Sequence, residues 1–218
     1  MRRIGMAVLG LAALGSNLYG QRSALREVHD RGTFGVTLAI AEPLGEFRNN
    51  ANLAGGITAY GLTGNRTLGL RIEGSWILYD SDYRGYDFST TSQIGTLAAG
   101  PQLTLGAGPM RFYGFATIGG SLFWSSAHSG CGCYRGDYYL QGDLTSTTSA
   151  GGGIQIAVSQ RRTPVFIDLG VRGVHHDRVK YIPSGGLSQN PDGSFSADRV
   201  ETPVDLRVWQ IGVSIGIR

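Results

Sequence analysis

Short segments in which apolar and polar residues alternate recur along the chain from residue 33 to its end. Successive side chains of a β-strand point to opposite faces, so this alternation predicts strands with one apolar and one polar face. Six segments show the pattern clearly, and two weaker ones complete a set of eight predicted strands: 34–40, 54–62, 68–78, 97–105, 110–124, 154–158, 165–171 and 209–217.

The connections between these strands alternate between short and long. The short ones are residues 63–67, 106–109 and 160–164, and the long ones are residues 41–53, 80–93, 125–149 and 175–203. An up-and-down barrel collects its short turns at one end and its long loops at the other, so this alternation favours that topology. The sequence therefore predicts an all-β, eight-stranded antiparallel up-and-down barrel.

The composition indicates which face of the predicted strands meets which environment. Charged residues make up 16% of the chain, where soluble domains have about 25%, and 35 of the 218 residues are glycine. An apolar face turned inward would leave an exterior with few charges and poor solubility. No run after the N-terminus approaches the roughly 18 apolar residues that a spanning helix needs. We therefore predict a transmembrane barrel with its apolar face toward lipid, and keep a soluble barrel with an apolar interior as the alternative.

An outward apolar face places the charged and amide side chains of the strands in the lumen. An eight-stranded barrel is just wide enough for its own side chains to fill it. Buried charges are costly unless paired, and two charges of each sign allow pairing. We predict a polar network that plugs the lumen, with a narrow or gated pore as the alternative; its charged members are Arg71, Glu73, Asp168 and Arg172, beside Gln102, Gln155 and Gln210.

The first twenty residues have the features of a secretory signal peptide. Arg2 and Arg3 precede an apolar run from Ile4 to Leu14, and small residues follow. The run is too short to span a membrane, and an N-terminal core helix or anchor is the alternative. We predict a signal peptide at 1–20, a short periplasmic lead-in at 21–32 and the barrel at 33–218.

Without Arg2 and Arg3 the chain has 17 basic and 16 acidic residues and no basic stripe, so no nucleic-acid partner is predicted.

These features resemble the small OmpA/OmpX-like outer-membrane barrels. The stretch from Ala150 to Ser159, a basic turn and the strand from Val165 to Val174 are similar to the sixth and seventh strands of that family. The resemblance implies a bacterial outer-membrane location with short periplasmic turns and long extracellular loops. It also implies contact with outer-membrane lipids and lipopolysaccharide, insertion by the barrel assembly machinery, and loops open to an extracellular ligand. The last strand alternates as in the family, but Arg218 stands where the family commonly has Phe.

Aromatic residues concentrate near the long connections, where a transmembrane barrel carries an interfacial girdle. The alternative is that they pack against one another. The predicted girdle consists of Trp76, Tyr79, Tyr83, Tyr86, Phe123, Trp124, Tyr138, Tyr139 and Tyr181.

In the last strand, the apolar residues change from even-numbered to odd-numbered positions between Val208 and Trp209. This parity change predicts a β-bulge or the point where the strand leaves the membrane.

Cys131 and Cys133 are the only cysteines and lie in the third long connection. Export to an oxidising compartment favours a disulfide between them, although one intervening residue makes a small, strained ring. Free or intermolecular thiols are a second possibility. A zinc site with His128 or Asp137 is a third, but the spacing departs from the usual two to four residues.

His175 and His176 begin the last long connection and raise the hypothesis of a hydrolase or acyltransferase site. Such chemistry needs a serine held beside the histidine by a third orienting group, and the candidate serines are Ser125, Ser126 and Ser129. No motif fixes that geometry, so we predict no enzyme, no cofactor and no metal.

The predicted function is a non-enzymatic outer-membrane protein with a structural or surface-interaction role. A small-solute channel and a lipid A- or phospholipid-modifying enzyme are the alternatives.

Overall fold

The structure is a computed structural model that describes residues 32–65, 67–83, 88–106, 108–131, 134–159, 163–183, 186–189 and 195–217. The predicted signal peptide, residues 1–20, lies outside these residues, as does the predicted lead-in except for Gly32, where the first strand begins. Within the described part of the chain, no helix is long and apolar enough to cross a membrane.

Eight long strands form a closed barrel, and every pairing is antiparallel. Each strand pairs with the next along the chain, and the last pairs with the first, so the predicted eight-stranded up-and-down barrel is confirmed. A short 3-10 helix, Gly45–Asn49, follows the first strand, and two short strands, β8 (Leu187–Gln189) and β9 (Phe195–Ala197), pair with each other. The barrel strands are β1 (Gly32–Leu44), β2 (Ala54–Gly64), β3 (Leu68–Tyr83), β4 (Phe88–Leu105), β5 (Met110–Cys131), β6 (Tyr134–Ser159), β7 (Val165–Tyr181) and β10 (Val200–Ile217).

At the end of the barrel with the long connections, here called the upper end, the strands continue well past the alternating segments. β5 and β6 stay paired as far as Cys131 and Tyr134, so most of the predicted connection 125–149 is strand. β3 and β4 likewise stay paired as far as Tyr83 and Ser89. These stretches are rich in Ser, Thr, Gly and Tyr, which differ little in polarity. Backbone pairing therefore continues where the alternation that would reveal it is weak.

The lower and middle exterior of the barrel is an apolar belt of large exposed side chains. Its members are between 37% and 74% exposed: Phe34, Val36, Leu38, Ile40, Ile57, Leu68, Leu70, Ile72, Trp76, Leu97, Leu103, Leu105, Met110, Phe112, Ile118, Leu122, Leu144, Ile156, Val158, Ile167, Leu169, Val171, Trp209, Ile211, Val213, Ile215 and Ile217. A continuous apolar surface of this extent is unusual on a monomer in water and fits a surrounding of lipid.

An exposed ion pair and an exposed histidine–carboxylate pair lie directly above the apolar belt on the outside of β1, β10 and β7. Arg207 Nη1 is 3.3 Å from Glu42 Oε2, and His175 Nδ1 is 2.7 Å from Asp205 Oδ1. Charged side chains are stable in water and costly in hydrocarbon, so this charged rim marks where the apolar exterior ends.

The point in β10 where the apolar residues change from one face of the strand to the other, between Val208 and Trp209, lies at the level of this rim. Trp209 is exposed in the belt, whereas Val208 and Leu206 are buried in the lumen. The ladder between β10 and β7 is continuous from Val204 to Ile215, and its register shifts only between Thr202 and Val204. The predicted bulge at Val208–Trp209 is therefore wrong, and the parity change records apolar side chains moving from the exterior to the interior.

Two adjacent glycines of β5 differ in how closely the backbone of the neighbouring strand approaches them. A Cβ on Gly119 would lie 2.0 Å from the backbone oxygen of Leu97, whereas a Cβ on Gly120 would meet nothing closer than 3.8 Å, at the Thr145 oxygen. We expect Gly119→Ala to lower the free energy of unfolding by about 1–3 kcal/mol, because the strands must move apart. Gly120→Ala should leave it nearly unchanged. Urea unfolding in micelles measures both, and equal effects would contradict the close approach at Gly119.

Candidate functional site: the filled lumen

Glu73 is the centre of an ion-paired network in the middle of the lumen. Its Oε2 lies 2.7 Å from Arg71 Nε, and its Oε1 lies 2.5 Å from Arg172 Nη1. Thr117 Oγ1 also donates a hydrogen bond to Oε1, at 3.3 Å. Arg71 and Glu73 are two residues apart on β3 and so share its inner face, while Arg172 comes from β7. One carboxylate thus binds two buried guanidinium groups, one from its own strand and one from β7.

Both arginines have further partners that hold them in place. Arg71 lies between two rings, with Cζ 3.9 Å from the centroid of Tyr60 and 4.2 Å from that of Phe115. Its Nη1 donates a hydrogen bond to Gln102 Oε1 at 3.0 Å. Stacking on aromatic faces and charge-assisted hydrogen bonding together stabilise a desolvated guanidinium.

Arg172 extends the network toward β2 and β10. Its Nη2 donates to Thr58 Oγ1 at 3.3 Å, and Gln210 Nε2 donates to the same oxygen at 3.1 Å. At this level, hydrogen bonds across the lumen therefore join side chains of β2, β7 and β10.

Asp168 has a different set of partners from the one that charge pairing suggests. Tyr60 OH donates to Oδ2, Tyr113 OH donates to Oδ1 at 2.6 Å, and Gln155 Nε2 donates to Oδ2 at 3.3 Å. The carboxylate is fully buried and is bound by two phenols and an amide. The structure thus brings Arg71, Glu73 and Arg172 together, and places Asp168 in a neighbouring cluster that shares Tyr60 with Arg71.

The upper lumen is filled by apolar and aromatic side chains, which we call the upper core. Phe47 reaches in from the 3-10 helix, with its ring 5.4 Å from that of Tyr79 and 5.1 Å from that of Tyr181, both edge-on. Asn50 at the end of this helix donates to Tyr181 OH at 3.0 Å. The upper core comprises Ala39, Ala41, Phe47, Ala51, Ala54, Ile77, Tyr79, Ile94, Phe123, Val174, Val179, Tyr181, Val204, Leu206 and Val208.

The predicted aromatic girdle is wrong for three of its members. Tyr79, Phe123 and Tyr181 are each 1% exposed and pack inside the barrel. Tyr79 and Phe123 follow the parity change of their strands, whereas Tyr181 is turned inward by the register shift between β7 and β10 that follows His176. Trp76 lies on the exterior as predicted, with its indole Nε1 donating to Gln93 at 2.7 Å. The side chains of Tyr83, Tyr86, Tyr138 and Tyr139 lie outside the described residues.

The two histidines proposed for catalysis face opposite sides of the wall. His175 is on the exterior, paired with Asp205, whereas His176 is buried and its Nδ1 lies 3.1 Å from the carbonyl oxygen of Val204. Ser125 is buried and its hydroxyl is 2.9 Å from that of Ser92. Ser126 lies on the neighbouring position of β5, and the side chain of Ser129 is outside the described residues. The described contacts thus engage His176 and Ser125 with other partners.

The side chain of Cys131 and the whole of Cys133 lie outside the described part of the chain, as do the side chains of His128 and Asp137, so the disulfide, free-thiol and zinc hypotheses stay predictions. Cys131 is the last residue of β5. Among the side chains that the structure describes, no group of three or more His, Cys, Asp or Glu residues is placed to hold a metal ion.

No family model and no curated protein matches this chain. Similar solved structures include Neisserial surface protein A, at 14% identity and a TM-score of 0.47, with 88% of this chain and 100% of that chain covered. Another is Ail, the attachment invasion locus protein of Yersinia pestis, at 12% identity and a TM-score of 0.46, covering 87% and 99%. A major outer membrane protein from Thermus thermophilus follows at 13% identity and a TM-score of 0.46, covering 84% and 98%.

Replacing Glu73 tests the energetic weight of the buried network. Glu73→Gln keeps the side-chain shape but leaves two buried guanidinium groups without their shared counter-charge. We expect the free energy of unfolding to fall by about 3–5 kcal/mol, measured by urea titration of the refolded protein. Glu42→Gln breaks the exposed pair with Arg207 and serves as the matched control, with an expected loss of at most about 1 kcal/mol. A Glu73→Gln protein as stable as the control would refute the role given to the network.

Proposed function

We propose that this protein is a non-enzymatic barrel of the bacterial outer membrane, with a plugged lumen and a structural or surface-interaction role. The observation that carries the proposal is the apolar belt, which surrounds a closed barrel whose interior is polar at the same level. A soluble barrel has the reverse arrangement. Closure also leaves no unpaired strand edge, as hydrocarbon requires of a spanning sheet.

The charged rim and the strand extensions give the barrel a direction. Short turns at the lower end correspond to the periplasmic side, and the upper end, where β5 and β6 extend to Cys131 and Tyr134, corresponds to the cell exterior. This orientation puts the N-terminus of β1 at the periplasmic side, consistent with export by the predicted signal peptide at 1–20. Outer-membrane lipids and lipopolysaccharide would then contact the belt and the rim, and the barrel assembly machinery would insert the chain.

Two layers of side chains, one above the other, block the lumen and favour a plugged barrel rather than a channel. The network of Arg71, Glu73 and Arg172 and the neighbouring cluster around Asp168 together occupy the middle of the barrel, and all four side chains are buried. Above it, the upper core closes the outer end, with Phe47 held over the lumen by the 3-10 helix. A solute would have to displace both.

The extracellular part of the barrel is suited to surface interaction. Its strands stay paired beyond the belt, and the upper core fills the lumen below their ends. Loops on a rigid scaffold are the usual carriers of binding, so we place an extracellular ligand at this end.

Electrophoresis in SDS with and without boiling tests the barrel in its membrane. We expect the protein in the outer-membrane fraction, and an unboiled band that migrates differently from the boiled one because the closed barrel resists SDS at room temperature. Recovery in the soluble periplasmic fraction with identical bands would contradict the proposal. The apolar belt would then need another protein to cover it.

Planar-bilayer recording separates a plugged barrel from a channel. We expect the purified protein to give no sustained single-channel openings at neutral pH, because both barriers remain closed. The double variant Phe47→Ala/Glu73→Ala, which weakens both, should show openings more often than either single variant. Sustained openings of the wild type would support the small-solute channel instead.

A further inference from the structure

A small cavity separates the ion-paired network from the upper core. Glu73 and Arg172 line it from below and His176 from above, with Thr147 and Ser149 at its side. Its volume is about 10 Å³, which is room for about one water molecule. The cavity therefore brings a histidine and a guanidinium to the same buried space.

The contacts of His176 define its protonation. The ring is 1% exposed, and Nδ1 lies 3.1 Å from the carbonyl oxygen of Val204, so Nδ1 carries the hydrogen and donates it. Nε2 is then a bare acceptor, and it is buried without a hydrogen-bond partner in the described structure. The ring also packs edge-on against Phe123, with 5.2 Å between the ring centroids. His176 is thus held in the upper core as a neutral imidazole.

The charged groups around His176 disfavour a second proton on Nε2. Arg172, four residues earlier on the same strand, faces the same cavity, and its Nε is also buried without a partner. Glu73 faces the cavity as well, but its two oxygens bind Arg71 and Arg172. On the outer side of the wall, Asp205 binds His175. Glu73 is therefore engaged with two arginines, and Asp205 is hydrogen-bonded to His175 on the other side of the wall.

We propose that His176 is an acid-responsive latch of the upper core. A proton on Nε2 creates a buried cation opposite Arg172, and the imidazolium leaves its place against Phe123 and Val204 for water. Phe123, against which His176 packs, lies with its ring 6.3 Å from that of Tyr79, and Tyr79 packs against Phe47. These aromatic side chains then lose their fixed packing while the barrel wall stays closed. This inference rests on the plugged lumen proposed above, but its test measures side-chain packing, so the two can fail separately.

The direction of the pH effect follows from the surroundings of His176, which lies level with the charged rim and above the apolar belt. Burial, reinforced by His175 and Arg172, lowers the pKa of His176 to about 4, against the opposing effects of the bond to Val204 and of the nearby Asp205. A histidine in water has a pKa of about 6.5. The packed state is therefore favoured in full above about pH 6.5, and it loses stability relative to the released state as the pH falls from there toward 4.

Circular dichroism of the refolded protein between pH 7.5 and 3.5 tests the latch. We expect the near-ultraviolet signal of the buried tyrosines to decrease at the acid end while the far-ultraviolet strand signal is retained. His176→Asn, whose amide can still donate to the Val204 carbonyl but does not titrate, should keep its near-ultraviolet signal. His175→Asn, on the exposed neighbour, should respond as the wild type does.

A constant near-ultraviolet signal in the wild type, or the same decrease in His176→Asn, would overturn the proposal. If His176→Asn does not fold, NMR of the wild type labelled at histidine and tyrosine decides. Resonances of Tyr79 and Tyr181 that change together with protonation of His176 support the latch. Protonation of His176 with those resonances unchanged refutes it.

Discussion

The closure of eight strands into a barrel is the constraint on which the rest of this structure depends. A closed ring of this size has an interior about as wide as its own side chains, so every inward position must fit against residues from the opposite wall. Glu73 illustrates this, since its carboxylate is bound by Arg172 across the lumen as well as by Arg71 on its own strand. The same constraint explains Gly119, where even a methyl group would meet the backbone of the neighbouring strand.

What fills the interior depends on what surrounds the wall. At the level of the apolar belt the outward positions are taken by aliphatic and aromatic side chains, so the polar residues of the same strands point inward and must satisfy one another. Asp168 meets this demand with two tyrosines and a glutamine, and Arg71 meets it with a carboxylate, an amide and two aromatic rings. From the charged rim upward the outward positions carry charged side chains such as Glu42, Arg207 and Lys180, and the interior becomes an apolar core like that of a soluble protein.

The sequence predicted the parts of this arrangement that alternation records. It identified the eight strands, their order and the inward set that includes Gln102, Gln155 and Gln210, all of which are buried. The partners of Asp168 could not be predicted, because Tyr60 and Tyr113 come from strands with weak alternation and meet it only after closure. The role of Phe47 was also hidden, since a single aromatic residue in a connection gives no periodic signal. The upward extension of β5 and β6 was missed because Ser, Thr and Gly dominate there.

The parity change between Val208 and Trp209 carries more information than a local defect would. The same change appears in β3, where Trp76 is exposed and Ile77 and Tyr79 are buried, and in β5, where Leu122 is exposed and Phe123 is buried. A bulge would shift the register of the ladder at each site, yet β10 pairs continuously with both of its neighbours through Val208. The backbone therefore stays regular, and what changes is the face of the strand that carries the apolar side chains. In this barrel, the residue at which apolar side chains turn from one face to the other marks the upper edge of the apolar belt, and the regular ladder distinguishes this change from a bulge, which the sequence alone left open.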